Sequence, residues 1–392
     1  MITYHPHGVG GMQRHTFDLV RGLVDSGNEV EVIAPRGDHA TDNRKEGARW
    51  RFVDIERRKE RFGRWLDKSL AEFSRTHSAR SFDVVHSEST SALGLVGRID
   101  IPVVVKFHGN YVGLAKACFR RGLQRSPLRE LKSFIRLTRL HFGARGRNCW
   151  AFRDCEWMVP AQQQFADTRR SHVMRADRGH FVPNGVDADL FRPLSRPARN
   201  EPVLVAVGRL GWQKGFDVAI RALADIPRAH LRIVGNGDQR GSLERLAHQL
   251  GVAERVEFVG HLPPQGVARE IAEGDIFLFP TRREEAAPLV LVEAMACGVP
   301  VIASQLGGIP EVIDRPGANG ILVPSGDPAV VAEATNGLLA SEEKRKAMGA
   351  GARERILADY TLSRMIQRTL EVYGRAIERE AKASAASSGA GD

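Results

Sequence analysis

The sequence lacks several features that would decide its class at once. No run of about 18 uncharged apolar residues occurs, so a membrane-spanning helix is not expected. The start carries no signal-peptide pattern. The four cysteines, Cys118, Cys149, Cys155 and Cys297, show no C-x-x-C spacing. They read as reduced thiols, which points to a cytoplasmic chain. His-Glu-x-x-His, Gly-x-Ser-x-Gly and His/Cys clusters are missing, so metal hydrolases and serine hydrolases lack their parts. No segment has the pattern of a nucleic-acid module, and no nucleic-acid partner is expected. No short-period repeat is present either.

A chain of 392 residues is too long for one ordinary core, and its length predicts two or three domains. The net charge of +10 is uneven. Between Tyr111 and Trp150 stand ten Lys/Arg against the single acid Glu130, a local +9. In "SPLRELKSFIRLTRLHF" (126–142) Leu128, Leu131, Phe134, Ile135 and Phe142 recur at helical spacing, with Arg129, Lys132, Arg136 and Arg139 between them. Such a helix either faces a core with one solvated side, or meets an anionic membrane surface or acidic substrate.

Strand-length apolar runs alternate with helical patterns in both halves. The first half has "MITYHP", a helix at about 11–26, "GNEVEVIAP" (27–35), "FDVVHSE" (82–88) and "IPVVVKFHG" (101–109). Its opening strand is unusually short, which suggests missing residues at the start. The second half has "PVLVAVGRL" (202–210), "AHLRIVGNG" (229–237), "RVEFVGHL" (255–262), "DIFLFP" (275–280), "VPVIAS" (299–304) and "GILVP" (320–324). This alternation predicts an α/β fold of two doubly wound, Rossmann-like domains facing across a cleft. The expected boundaries are 1–190 and 200–358, with a Pro-rich linker at 183–202. Apolar residues at helical spacing predict a last helix at about 360–380, and the small polar tail 381–392 is expected to be disordered.

In "TRREEAAPLVLVEAMACGVPVIAS" (281–304) two glutamates, Glu285 and Glu293, bracket seven uncharged residues. Pro288 suits the first position of a helix, and Cys297-Gly298 suits its end. The stretch therefore reads as strand, loop, helix, strand. Loops at the carboxyl ends of parallel strands bind ligands. Glu285 falls in that loop, Glu293 falls one turn into the helix, and the amides of Leu289 and Val290 offer an anion site. A ligand with both hydroxyls and phosphates matches.

Other turns carry candidate chemistry. "GRLGWQKG" (208–215) is not a Walker A loop, since its lysine has no preceding glycine and no following Ser/Thr. Gly208, Gly211 and Gly215 permit close backbone approach, Arg209 can fork onto phosphate oxygens, and Lys214 adds a compact charge. Alone this is a solvated turn; beside the Glu285 loop it reads as a diphosphate site. Gly10 and Gly11 precede a helix and form either a tight turn or a phosphate cradle. His108 ends a buried strand and is either structural or placed to handle a substrate hydroxyl or a proton. "DAD" (187–189) follows "PNGV" in the linker and reads as structural, not as a metal motif.

Taken together these motifs resemble the family 4 retaining glycosyltransferases of the GT-B fold. The resemblance rests on the paired early glycines, "FHG", "PNGVD", "VGRLGWQKG", "VGNGD", the Glu285/Glu293 pair and "GGIPEVI" (307–313), and covers most of the chain. It implies transfer of a hexose or N-acetylhexosamine from a nucleotide-diphosphate sugar to a hydroxyl. Arg209 and Lys214 would hold the diphosphate, with Leu289 and Val290 amides beside it. Glu285 would bind the transferred sugar and Glu293 the ribose. Val259 and Leu262 would mark the base, with Gly208 and Gly235 at the donor. Gly11, with Gly10, would close over the diphosphate, and His108 would lie near the sugar. The last helix would return to the first domain.

No metal or other cofactor is called for where these charges suffice. The acceptor is expected on the first domain, at Asn110, Arg120, Arg121 and the basic 111–150 segment. It is expected to be a glycan or a lipid-linked saccharide, with an anionic membrane surface as a candidate partner. Ala286-Ala287 departs from the family pattern and leaves the sugar unread. A nucleotide-sugar epimerase and a non-catalytic nucleotide-sugar-binding protein remain as alternatives. A phosphorylase would need a lysine-bound pyridoxal phosphate and a longer chain.

Overall fold

The computed structural model describes residues 1–3, 10–36, 44–45, 47–54, 61–108, 151–172, 174–195 and 199–388. Asn110, Arg120, Arg121 and the whole basic 111–150 segment lie outside these residues, as do Cys118 and Cys149. The chain forms two compact units, Met1–Pro183 with Leu362–Asp392, and Asn184–Thr361.

The first unit contains β1 (Glu31–Pro35), β2 (Arg44–Lys45), β3 (Ala48–Val53), β4 (Val85–Glu88), β5 (Val103–Lys106), β6 (Glu156–Val159) and β7 (Gly179–Phe181). The sheet orders are β1-β3-β2 and β4-β5-β6-β7. The opening stretch contributes one residue, Ile2, which bridges in parallel to Ile33 of β1 and Ser87 of β4. That residue ties the two sheets together, so the short first strand still takes the central place. Val103, Val104 and Val105 are buried, as expected for a parallel strand covered on both faces.

The last helix, Leu362–Ser388, belongs to the first unit. Met365, Ile366, Val372, Tyr373 and Ala376 pack on Leu19 and Leu23 of the first helix, Gly11–Asp25, and on Val104 and Met158. Gly22 permits that approach, because a Cβ there would meet Ile366 Cγ1 at 2.5 Å. The helix continues past residue 381, where a disordered tail was expected. Ala381, Ala383, Ala385 and Ala386 are strong helix formers and carry it on.

The second unit contains β8 (Val203–Val207), β9 (His230–Val234), β10 (Val256–Gly260), β11 (Ile276–Phe279), β12 (Val301–Ser304) and β13 (Ile321–Val323). They form one sheet in the order β10-β9-β8-β11-β12-β13, and every recorded pairing is parallel. Alternate residues serve two cores. Val203, Val205, Val207, Phe277, Phe279, Val301 and Ala303 enter one; Leu204, Ala206, Leu231, Ile233, Ile276, Leu278 and Ile302 enter the other. This is the period-two pattern of a doubly covered sheet. The strand order reverses at β8: β9 and β10 follow it on one side, and the chain then crosses from β10 to β11 on the other. Crevices at such switch points, outside the carboxyl ends of strands, take ligands.

Candidate functional site

The carboxyl ends of β8, β9 and β10 meet through glycine. Gly208 N–H donates to the Val234 carbonyl (2.9 Å) and Gly235 N–H to the Gly260 carbonyl (2.7 Å). Gly235 has φ +132°, and a Cβ there would overlap the Gly208 carbonyl oxygen. Gly208 and Gly235 therefore let two strand ends approach as closely as backbone allows. Val259, near the end of β10, and Leu262 just beyond it are half-buried against the core.

Arg209 follows Gly208 and is exposed. A short 3-10 turn, Trp212–Lys214, ends at Gly215 in the left-handed region (φ +70°). A Cβ at Gly215 would overlap the Pro280 carbonyl, so this glycine lets the Lys214 turn lie against the end of β11. Lys214 Nζ then sits 5.5 Å from the centre of the Phe279 ring and donates to Glu285 Oε1 at 2.8 Å. Lys214 and Glu285 are 71 residues apart in sequence, and the fold brings them together. Both side chains are partly exposed, 26% and 16%.

The loop carrying Glu285 is anchored along its length. Arg282 N–H and the Thr281 hydroxyl both donate to the Gln213 carbonyl, at 2.8 and 3.0 Å. Arg282 also pairs with Asp217, Nη2 to Oδ2 at 2.7 Å. Ser325 donates to the Thr281 carbonyl (2.9 Å), and Gly308 N–H to the Glu285 carbonyl (2.7 Å). Asn184 donates its side-chain amide to the Ala287 carbonyl at 3.2 Å. So "PNGVD" and "GGIPEVI" buttress the glutamate loop, a role that their sequences alone did not disclose. The neighbouring Asp187 accepts from the backbone N–H groups of Asp189 (3.2 Å) and Leu190 (3.1 Å), a local turn that explains "DAD" structurally.

The helix after the loop spans Leu289–Ala296, with Pro288 as its N-cap and not its first residue. Leu291 N–H makes the first recorded bond, to the Pro288 carbonyl (3.0 Å), so the amides of Leu289 and Val290 lie ahead of it. Glu293 is buried one turn further on. Cys297 caps the helix, and Gly298 at φ +68° turns the chain toward β12. The second unit thus places two cations, a carboxylate and a helix N-terminus on loops at the carboxyl edge of its sheet.

In the first unit Gly10 is the N-cap of the helix that begins with Gly11. His108 stands just past β5, and its Nε2 is hydrogen-bonded to Glu88 Oε2 at the end of β4. Around Glu88 gather His86, 3.5 Å away, and His15, 3.8 Å away. Tyr373 on the last helix shares a hydrogen bond with His86 Nδ1 at 2.7 Å. Lys106 is fully buried, and loss of hydration pushes its ammonium down to about 7 against the pull of Glu88. This cluster was missed from sequence. Its members lie on four elements, and only the "HSE" at a strand end hinted at it.

Residues 9–190 match Glycosyltransferase Family 4, and residues 188–355 match Glycosyl transferases group 1. The GDP-mannose-dependent alpha-(1-6)-phosphatidylinositol monomannoside mannosyltransferase of Mycolicibacterium smegmatis is 36% identical over 192 residues, covering 44% of this chain and 50% of its own. The chain thus spans about half the length of that curated relative and of others like it. An uncharacterised glycosyltransferase of Methanocaldococcus jannaschii is 26% identical over 403 residues, covering 96% of this chain and 98% of its own. Among solved structures, a sucrose-phosphate synthase of Thermosynechococcus elongatus superposes with a TM-score of 0.79 at 23% identity, covering 95% of this chain and 94% of that one.

Proposed function

The chain belongs to glycosyltransferase family 4, with the Rossmann-like domains of the GT-B fold, and on that premise we propose that it moves a hexose from a nucleoside-diphosphate sugar to a hydroxyl acceptor with retention of configuration. The observation that carries this reading is the Lys214–Glu285 pair beside the helix start at Leu289. It sets a cation and a carboxylate beside the first amides of a helix, and that grouping supports the reading.

The mechanism follows from charge. Departure of a nucleoside diphosphate develops an oxocarbenium-like sugar and added negative charge on phosphate oxygens. Arg209, Lys214 and the helix N-terminus supply fixed positive potential for that charge. Lys214 leaves or shares Glu285 as the phosphate arrives, and Glu285 turns to the sugar hydroxyls. Glu293, deeper in the helix, takes the ribose. The Val259–Leu262 strand end flanks the base. Attack comes from the face the leaving group departs, with a phosphate oxygen receiving the acceptor proton. Loss of Arg209 is expected to cost on the order of 2–4 kcal/mol of barrier, as for other lost oxyanion donors.

The acceptor is proposed to be a glycolipid. The mycobacterial relative acts, by its name, on a phosphatidylinositol mannoside with GDP-mannose. The ten Lys/Arg between Tyr111 and Trp150 suit such an anionic headgroup. Among the described residues no helix is long and apolar enough to cross a membrane. The test is incubation with GDP-mannose or UDP-hexoses, with and without phosphatidylinositol-type acceptors, reading nucleoside diphosphate release and the product anomer. Acceptor-dependent release with retained configuration is expected. Donor consumption that ignores the acceptor, or an inverted product, contradicts the proposal.

A further inference from the structure

We propose that Glu88 is a positioning residue, whose buried carboxylate grips His108 through Nε2 and thereby aims Nδ1 at a ligand hydroxyl. The inference rests on reading His108 as substrate-facing, and extends it to a residue on another strand.

Glu88 ends β4 and His108 follows β5, so both stand at the carboxyl edge of the first unit's sheet. That is the edge where parallel sheets hold ligands. The Glu88 side chain is 1% exposed and that of His108 is 10% exposed. A carboxylate so deeply buried is expensive unless its partners repay it. Here no arginine pairs with it among the described residues. Its neighbours are His108, His86, His15 and Lys106, all of them groups that titrate. Burial alone would raise the Glu88 carboxyl, but the charge and hydrogen bond of His108, with His86 and His15, hold it well below the usual range. An ionised Glu88 accepts only, so His108 must carry its proton on Nε2. Nδ1 is then the nitrogen left to face a ligand hydroxyl, accepting from it when the ring is neutral and donating to it when the ring is charged. A hydrophobic residue at 88 would pack at lower cost, and a polar cluster at a ligand edge that costs stability is a mark of function.

The cluster extends behind Glu88. His86 Nδ1 and the Tyr373 hydroxyl are 2.7 Å apart. His86 is kept neutral chiefly by burial. Tyr373 therefore fixes one face of His86, whose other nitrogen lies 3.5 Å from Glu88 Oε1. The last helix of the chain thus holds the histidine that stands beside the carboxylate. His15 stands edge-on to His108, with ring centres 4.6 Å apart.

The same three residues, His15, Glu88 and His108, have ligand atoms within 4.8 Å of one another, a spacing that a divalent metal would also accept. The two arrangements exclude each other, since a metal on His108 Nε2 removes the proton that Glu88 holds.

The test uses the full chain labelled with 15N-histidine, as wild type, Glu88→Gln and Glu88→Asp. Each is first checked for native melting. NMR reports the tautomer of His108 without any substrate. The wild type is expected to hold the Nε2–H tautomer. Glu88→Gln, whose amide can donate as well as accept, should lose that single tautomer, and Glu88→Asp should partly restore it. In turnover, Glu88→Gln should lower kcat on the order of tenfold to a hundredfold with little change in donor KM. An unchanged tautomer in Glu88→Gln would overturn the proposal. So would stoichiometric zinc in the wild type that disappears in Glu88→Gln. If no donor is turned over but the tautomer responds, the glycosyltransferase reading fails while the Glu88–His108 coupling stands.

Discussion

Lys214 has Glu285 as its partner in the structure, and the proposed function gives it a phosphate as a second. With Glu285 at 2.8 Å it neutralises a half-buried carboxylate. Partly exposed pairs of this kind contribute little to stability, about 0–1 kcal/mol. Lys214→Met is therefore expected to leave the melting temperature nearly unchanged while raising the transfer barrier by about 2–4 kcal/mol. Steady-state kinetics beside a thermal melt checks both halves of that statement; a large melting shift with normal turnover would assign the lysine to the fold instead. At this scale the sequence was readable where one segment sets the local element, as with Lys214 in a turn, Glu285 in a loop and Glu293 in the helix that follows. It was unreadable where partners come from distant strands. Nothing in the neighbourhood of His15 or Tyr373 announces that both crowd the space around Glu88.

Among the elements, the loop from Thr281 to Pro288 has little regular structure yet is held at both ends. Gly307 is part of that hold. Its φ of +58° is left-handed, and a Cβ would overlap the Glu285 carbonyl. Gly307→Ala is expected to cost about 1–2 kcal/mol for the backbone alone, and to displace Glu285 besides. Donor affinity should therefore fall further than the denaturant midpoint implies. Equal losses in both would mean that the loop is only a structural connection. Strands of the second unit were legible as apolar runs, but the runs overstate them. "VPVIAS" yields a strand only over Val301–Ser304, because Pro300 cannot donate to the ladder. Alanine content was underweighed at the end of the chain, where helix propensity outlasts the apolar stripe.

For the molecule as a whole, the buried cluster of the first unit ties stability to pH. Lys106 titrates near about 7 when folded and near 10.5 otherwise. Between those values the unfolded chain holds a proton that the folded chain does not, so stability rises with pH by about 1.4 kcal/mol per unit for this group. Below 7 the full cost of charging Lys106 remains. His15 and His86 are lowered mainly by burial, so acid below about 6.5 protonates the unfolded chain preferentially and stability falls. Urea unfolding of wild type and Lys106→Met should give a gap in favour of the variant at pH 7 that closes toward pH 10. A gap independent of pH would mean that Lys106 keeps its charge when folded.

The two-part organisation was legible in the repeated strand and helix grammar. The placement of Leu362–Ser388 in the first unit was implied only by family resemblance, because an amphipathic stripe does not say which core it covers.

The central claim is that the second unit binds a nucleoside diphosphate through Arg209, Lys214 and the helix at Leu289. Calorimetric titration of GDP and UDP into wild type and Arg209→Ala tests it most directly. One diphosphate should bind at one site per chain, and the variant should bind it about tenfold or more weakly, the equivalent of about 1.4 kcal/mol or more. Binding of neither nucleotide, or equal binding by both proteins, would contradict the account.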